Sequence, residues 1–428
     1  MNEFYRTGKI KMAQDNYDSA LNDLLRAYKD EPDNLDLIYD IAYCYFGILN
    51  YNASYEFLER GLEIDEYNTD FLQRKAYLLI YKRKMYQEGI YILDKLLNLN
   101  NNNLWAHYYM GYALRRLNEF EEAYGHLMKV IDEHTDPVYI ACSHIDVAIM
   151  LHLSKREDDA LENLKKAESF NPKNDYIHYL RGVFLFEAGK HNDSVRHFKK
   201  AFKMDKKNAD ASFYIADCCY RLGKYSDAIK YADISIKIEN RSDEYFYFRG
   251  KIYLKLKEYS YALGDTTKAV QLAPQCDLYY EQRTEIYYCL GEYKKAVDDS
   301  DTALIINKDN LNVRYYAAMS KLKLCYYKDA IEDFNEIEKR DLKYLQIYRA
   351  RATCYYQTGD LEKALKDLDK SIKNENNVAE CYYQKGLIYE KQNKPEISNE
   401  YFIKSAVMGD SCAQKIVEER GLGQQKIF

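Results

Sequence analysis

The sequence predicts an all-α solenoid, in which similar antiparallel helix pairs stack on one another. The first observation is a period: small residues recur at spacings of 34, 35, 34 and 37 residues and then seven times at 34. A second small residue precedes each of them in phase, as Gly182 precedes Ser194. Third, the chain has only five prolines and no linker rich in glycine or serine. The periodic residues are Ala20, Ser54, Gly89, Ala123, Ala160, Ser194, Ala228, Ala262, Ala296, Ala330, Ala364 and Ser398. Such a period is typical of repeat proteins, whose units bury their apolar faces against each other.

The period divides residues 1–412 into twelve predicted units. One extra residue lies within 69–103, and three more, residues 138–140, follow Pro137. These three residues are predicted to lengthen a helix, with a hinge near 137–141 as the alternative. Residues 413–428 are predicted to form a capping helix and a tail. The units are 1–34, 35–68, 69–103, 104–137, 141–174, 175–208, 209–242, 243–276, 277–310, 311–344, 345–378 and 379–412.

Each unit contains the pattern of two amphipathic helices. When the periodic small residue is numbered 20, positions 4, 7, 8 and 11 share one stripe of a first helix, and positions 20, 24 and 27 share one stripe of a second. Small side chains at positions 8 and 20 let the two axes approach closely. Four units have glycine near position 15, where a helix ends favourably: Gly189, Gly223, Gly291 and Gly359.

This pattern resembles the tetratricopeptide repeat, a 34-residue helix–turn–helix unit with small residues at positions 8, 20 and 27 and proline at position 32. Position 32 is proline at Pro32, Pro172 and Pro274. The resemblance covers residues 1–412. It implies a right-handed superhelix whose concave groove is lined by positions 2, 5, 9, 12 and 13 of the first helices.

Composition argues against several classes of function. The net charge of −6 comes without a basic stripe, so we expect no nucleic-acid partner. The most apolar run, 37–49, is too short to span a bilayer and contains Asp40, so we expect no membrane insertion. The N-terminal residues lack the apolar core of a secretory signal, and ten scattered cysteines fit a reducing compartment. The protein is therefore expected to be cytoplasmic.

We expect neither an enzyme nor a metal or cofactor site. No nucleophile-elbow motif or P-loop occurs, and about 16 residues beyond the twelfth unit leave no room for a catalytic domain. His107, His144 and His178 share position 4 of three units. Helices pack roughly 8–10 Å apart, too far for these side chains to share one metal ion. They are interpreted as substitutes for the usual aromatic residue, with a pH-sensitive patch as the alternative.

Aromatic and basic residues at the groove positions are the candidate binding site. Tyrosine offers a large contact area at low entropic cost and a hydroxyl group. The alternative is that neighbouring rings only pack on one another. The candidates are Tyr39, Tyr43, Tyr77, Trp105, Tyr108, Tyr112, Arg116, Tyr179, Phe213, Tyr247, Tyr315, Arg349 and Tyr383.

The sequence therefore predicts a non-enzymatic scaffold that holds a peptide or protein segment in an aromatic groove. Two alternatives stay open. One is a structural protein that assembles with itself through its first unit, and the other is the regulatory subunit of an enzyme on a separate chain.

Overall fold

A computed structural model describes residues 3–340, 347–374 and 378–422. Within these residues the chain forms 25 α-helices and one π-helical segment, with no β-strand. The predicted all-α fold of paired helices is confirmed. The chain divides into two compact parts, an N-terminal part (Met1–Tyr214) and a C-terminal part (Ile215–Phe428).

Twelve α-helices and the π-helical segment lie wholly in the N-terminal part. Odd-numbered helices are the first helices of the pairs and even-numbered helices the second. The bounds are α1 Glu3–Met12, α2 Tyr17–Asp30, α3 Leu35–Gly47, α4 Tyr51–Ile64, α5 Thr69–Tyr77, the π-helical segment Leu78–Arg83, α6 Tyr86–Leu99, α7 Leu104–Arg116, α8 Phe120–Glu133, α9 Pro137–Leu153, α10 Glu157–Phe170, α11 Asp175–Glu187 and α12 His191–Met204.

The border of the two parts falls within α13 (Ala209–Arg221), and twelve further helices are described in the C-terminal part. Residues 341–346, in the predicted units 311–344 and 345–378, and the predicted tail at 423–428 lie outside the described residues. The bounds are α14 Tyr225–Ile238, α15 Asp243–Lys255, α16 Tyr259–Leu272, α17 Asp277–Cys289, α18 Tyr293–Ile306, α19 Leu311–Lys323, α20 Tyr327–Arg340, α21 Ile347–Thr358, α22 Leu361–Asn374, α23 Ala379–Lys391, α24 Pro395–Val407 and α25 Ser411–Glu419.

Asparagine at the last position of a predicted unit begins the next first helix. The Asn34 side chain accepts a hydrogen bond from the Leu37 backbone N–H at 3.2 Å, and Asn310 accepts one from Val313 at 3.1 Å. Such N-caps satisfy a backbone donor that the helix leaves without a partner. At the other end of the first helices, the glycine near position 15 adopts positive φ, as in Gly359 at 88°.

Small residues at position 8 are needed because the paired helices touch there. A Cβ atom added at Gly182 of α11 would lie 2.6 Å from the Phe198 ring of α12, and one at Gly386 of α23 would lie 2.6 Å from Phe402 of α24. Both phenylalanines are fully buried. The steric reason given for this sequence position therefore applies to the folded chain.

The two irregularities of the period fall in first helices. The extra residue of unit 69–103 coincides with the π-helical segment, where the Met85 N–H donates to the Leu79 carbonyl at 2.9 Å and Lys84 takes φ 57°. A π-turn holds one more residue than an α-turn, so it absorbs a one-residue insertion. Residues 138–140 lie at the start of α9, which has 17 residues where α7 has 13.

Buried arginine–aspartate pairs join the two helices of several repeats in the C-terminal part. An arginine of the first helix donates its Nε–H to an aspartate 16 residues later in the second helix. The Nε–Oδ2 distances are 2.7, 2.6 and 2.7 Å for Arg249–Asp265, Arg283–Asp299 and Arg351–Asp367. Their side chains are buried or nearly so, which makes these pairs part of the repeat interior.

At the C-terminal end of the described chain, α25 packs on α24. The Asp410 side chain caps α25 by accepting from the Ala413 N–H at 2.8 Å, and Gly421 follows with φ 65°.

Candidate functional site

The thirteen predicted site residues differ in how much surface they offer. Arg116 is exposed, and its Nε–H donates to the Tyr86 hydroxyl at 3.1 Å. Tyr108 and Phe213 are buried, with 6% and 8% of their surface exposed, so they offer a partner little ring area. The remaining ten are half-buried: Tyr39, Tyr43, Tyr77, Trp105, Tyr112, Tyr179, Tyr247, Tyr315, Arg349 and Tyr383.

Three of them meet in the N-terminal part, in a cleft of about 300 Å³ that we call the N-terminal cleft. The Trp105 and Tyr109 rings lie 4.2 Å apart between centroids, and Tyr77 contacts Tyr109 edge-to-face at 5.8 Å. The aromatic rings therefore pack against each other around an open space. The lining residues are Tyr39, Phe46, Gln73, Arg74, Tyr77, Trp105 and Tyr109.

The π-helical segment adds Tyr81 beside this cleft. The Tyr81 ring stacks on Tyr77, at 5.2 Å and 9° between planes, and on Tyr112, at 4.9 Å and 16°. Tyr81 is 36% exposed, so one aromatic surface continues from Tyr77 to Tyr112. The groove positions did not single out Tyr81 or Tyr109, and the sequence located the extra residue only within 69–103.

Tyr108 is buried because a neighbouring helix covers it. Tyr139, one of the three inserted residues, lies edge-to-face on Tyr108 at 5.2 Å and contacts the His134 ring at 4.8 Å. Behind the rings, Asp146 and Arg115 form a buried pair at 2.7 Å. Burial raises the pKa of Asp146 to about 6 against the opposing charge of Arg115.

The tyrosine hydroxyls of this surface are hydrogen-bonding groups and not bases at neutral pH. Burial raises the pKa of Tyr81 to about 12, and it raises the pKa of Tyr109 and of Tyr112 as well. A protonated hydroxyl both donates and accepts hydrogen bonds. The N-terminal cleft thus combines aromatic faces with tyrosine hydroxyls, the Gln73 amide and the Arg74 guanidinium.

Two other predicted residues meet in the C-terminal part, in a cleft of about 650 Å³ that we call the C-terminal cleft. Arg349 forms an ion pair with Glu380 across the cleft wall. Tyr383 lines an adjoining pocket of about 180 Å³ that shares Glu380 with the cleft. The lining residues are Tyr315, Met319, Leu322, Lys323, Tyr327, Arg349, Ala350, Thr353, Glu380 and Gln384.

Several predicted residues pack on rings of their own part of the chain. Tyr179 lies edge-to-face on Phe198 at 5.7 Å, and Tyr247 contacts Tyr279 at 5.0 Å. Tyr43 lies under the Arg74 guanidinium at 4.9 Å. At these positions the rings make the intramolecular contacts that the sequence left open as an alternative to binding.

The three position-4 histidines are buried, as an aromatic core residue would be. His107 pairs with His126 through their Nδ1 atoms at 2.7 Å, and His144 Nδ1 lies 3.0 Å from Asn163 Oδ1. Among the described residues, no group of three or more His, Cys, Asp or Glu side chains is arranged to hold a metal ion. Nor is any helix within the described ranges both long and apolar enough to cross a bilayer.

Comparison with known families identifies the repeat. Three family models of the tetratricopeptide repeat match residues 105–136, 317–378 and 379–406. The chain is a tetratricopeptide-repeat protein. A fourth model, "Anaphase-promoting complex, cyclosome, subunit 3", matches residues 187–265. Tetratricopeptide-repeat proteins are scaffolds for protein–protein interaction and are generally non-catalytic.

Individual relatives are distant. Over 62 residues this tetratricopeptide-repeat protein is 34% identical to the Hsp70-Hsp90 organizing protein of Triticum aestivum. That match covers 14% of the chain and spans only 11% of the length of the relative.

Among solved structures, a tetratricopeptide repeat protein from Parabacteroides merdae is 20% identical, with a TM-score of 0.43 over 57% of this chain and 96% of its own. Yeast Tom70 is 14% identical, with a TM-score of 0.36 over 97% and 98%. The chain matched in the APC/C hetero-tetramer Cut9-Hcn1 is 13% identical, with a TM-score of 0.44 over 96% of this chain and 94% of its own.

Proposed function

We propose that this protein is a non-enzymatic scaffold that binds an extended segment of a partner protein in the N-terminal cleft. The proposal depends on one observation. Tyr39, Tyr77 and Trp105, three residues of different repeats, wall a single open cleft of about 300 Å³. Half-buried aromatic side chains of this kind are enriched at the centres of protein interfaces.

Two properties of the cleft suit a polypeptide ligand. The rings already hold each other in place, as in the contact of Trp105 with Tyr109 at 4.2 Å, so binding would cost little side-chain entropy. The hydroxyls of Tyr39 and Tyr77, together with the Gln73 amide, supply donors and acceptors for backbone groups of the ligand.

The test is to substitute the cleft and follow a defined partner. Affinity purification of the full chain from its native cell, followed by mass spectrometry, names candidate partners, and calorimetry with the purified partner then measures affinity. Tyr77→Ala with Trp105→Ala is expected to weaken binding by roughly 30-fold or more, because central aromatic residues contribute about 2 kcal/mol or more. Tyr124→Ala, on the exposed face of α8, is the control and is expected to change nothing.

Unchanged affinity of the double variant, with intact helical circular dichroism, would show that the partner does not use the N-terminal cleft. In that case Tyr315→Ala and Lys323→Ala in the larger C-terminal cleft are the next variants to measure.

Self-association is the second candidate. The exposed Phe4 and Ile10 side chains of α1, 42% and 53% accessible, favour it. Light scattering at high protein concentration tests this candidate. A wild-type dimer that becomes a monomer in the double variant Phe4→Ser with Ile10→Ser would support it. A monomeric wild-type chain would exclude it.

A further inference from the structure

The π-helical segment also creates a concentration of positive charge next to the N-terminal cleft. Arg74 lies in the cleft, and Lys82, Arg83 and Lys84 follow at the end of the segment. We call these four residues the basic patch. None of them forms an ion pair with a carboxylate among the described residues, whereas Arg249, Arg283 and Arg351 each pair with an aspartate.

Aromatic rings hold three of these cations in place. The Arg74 guanidinium lies over Tyr43 at 4.9 Å, Tyr39 at 5.8 Å and Phe46 at 5.7 Å. Lys82 Nζ lies 5.6 Å from the centroid of the same Phe46 ring. Two cations on one ring, without a carboxylate between them, repel each other.

Arg83 contacts two side chains of α4. Its guanidinium lies 4.6 Å from the centroid of the Tyr55 ring, and its Nη2–H donates to the Asn52 side-chain oxygen at 2.8 Å. Both contacts are to neutral groups. Ring contacts of this kind orient a cation at a modest gain in energy and leave its outward donors available.

The donors of Arg74 are poorly used within the chain. Its Nε–H and Nη2–H reach only the Tyr39 hydroxyl, at 3.4 and 3.3 Å, longer than a good N–H···O bond. A planar guanidinium with spare donors is suited to a carboxylate, which it can bind through two parallel hydrogen bonds.

We propose that the basic patch and the N-terminal cleft together bind an acidic segment of the partner protein. Carboxylates of the segment would lie against Arg74 and Lys82, and an apolar side chain next to them would enter the space beside Trp105. The inference rests on the proposed function and adds the chemistry of the partner. Charge complementarity supports it, because Arg74, Lys82 and Arg83 contact neutral rings and form no ion pair among the described residues.

The insertion explains how the repeat gained this patch. The π-turn gives the first helix one extra residue before Lys84 turns the chain at φ 57° towards α6. Tyr81 of this segment stacks on Tyr77, and Lys82 next to it lies over Phe46. The same segment therefore carries both the stacked ring and the cations.

The experiment uses the purified full chain and fluorescence anisotropy. The probe is a fluorescein-labelled peptide with four glutamates on either side of one phenylalanine, and its comparison is the same peptide with glutamine for glutamate. We expect the glutamate peptide to bind at least roughly tenfold tighter, and its affinity to fall as salt is raised through the physiological range.

Charge reversal then locates the site. Arg74→Glu with Lys82→Glu is expected to weaken binding of the glutamate peptide by roughly tenfold or more, because like charges are placed together. The matched control is Lys206→Glu with Lys394→Glu, two exposed lysines that also lie over a ring and form no ion pair in the described part of the chain. It changes the net charge equally and is expected to leave the affinity unchanged. Lys82→Glu alone repeats the test if the Arg74 variant does not fold.

Three results would overturn the inference. The first is a glutamine peptide that binds as tightly as the glutamate peptide. The second is a patch variant that loses no more affinity for the glutamate peptide than the control variant does. The third is a uridine dodecamer or phosphatidylserine vesicles that bind more tightly than the glutamate peptide through the same four residues. If Trp105→Ala abolishes partner binding while charge reversal leaves it unchanged, the scaffold function stands and the acidic partner is rejected.

Discussion

Asp367→Ala tests how the repeats of the C-terminal part are held together. Arg351 of α21 donates two hydrogen bonds to Asp367 of α22, from Nε at 2.7 Å and from Nη2 at 2.9 Å. The two side chains are only 4% and 5% exposed. Removing the carboxylate leaves a buried guanidinium that has lost both of these bonds.

The structure sets the size of the expected loss. Breaking a buried ion pair by removing one partner costs about 3–5 kcal/mol. Arg351 keeps one carboxylate, since its Nη1–H also donates to Glu338 at 2.6 Å, and it keeps the Asn335 amide at 2.8 Å. The loss should therefore lie at the lower end, about 3 kcal/mol, which is a large share of the stability of a typical domain.

The control is Asp193→Ala, which breaks the exposed pair with Arg196. Those side chains are 55% and 78% exposed, so the change is expected to cost less than about 1 kcal/mol.

Urea unfolding followed by circular dichroism measures the shift. Hydrogen exchange of the α21 and α22 amides locates it, because a repeat array can unfold in stages. Equal midpoints for Asp367→Ala and Asp193→Ala would refute the reasoning. So would a double variant, Arg351→Met with Asp367→Leu, that is as unstable as Asp367→Ala, because an apolar pair should restore most of the loss.

Two further predictions concern the N-terminal part. Burial lowers the pKa of His126 and of His197 to about 4, so the unfolded chain takes up protons that the native chain does not. The contribution of each histidine should be fully present above pH 6.5 and be lost as the pH drops to 4. The pKa difference corresponds to at most about 3 kcal/mol per histidine, and solvent screening of these half-buried rings reduces it. Urea midpoints that do not respond to pH in this range, or that respond as strongly in the His126→Phe and His197→Phe variants as in the wild type, would contradict this. Tyr81→Ala removes two stacked ring contacts and should lower the free energy of unfolding by about 1–3 kcal/mol and weaken partner binding. Tyr91→Ala, at an exposed site on α6, should change neither quantity. Equal unfolding midpoints for these two variants would contradict the prediction.

The sequence was informative wherever the period holds. Gly182 had to be small because a helix crosses within contact of it, and the Phe198 ring at 2.6 Å from an added Cβ is that contact. The position rule also brought Tyr39, Tyr77 and Trp105 to one cleft from three different repeats. A repeated steric requirement leaves the same residue type in unit after unit, so it can be read without an alignment.

The solvent exposure of each individual ring could not be predicted from the period. Tyr108 and Tyr77 both occupy groove positions, yet Tyr108 is buried and Tyr77 lines an open cleft. The period describes what all units share, whereas exposure depends on what the next helix places against each ring. The buried pair of Arg351 and Asp367 was missed for a related reason, since charged residues at these positions look like any solvated helix face.

Departures from the period change the surroundings of two predicted groove residues, Tyr77 and Tyr108. The extra residue of the third unit coincides with a π-helical segment, in which Tyr81 stacks on Tyr77 and Lys82 lies over Phe46. The three extra residues before the fifth unit bring Tyr139 onto Tyr108 and close that position. One insertion thus extends the aromatic surface and the other limits it. If this account is correct, deleting Lys82 to restore the 34-residue spacing should leave the helical content intact and weaken partner binding more than Lys82→Gln, which removes the same charge and keeps the insertion. Equal losses in the two variants would separate the site from the π-turn.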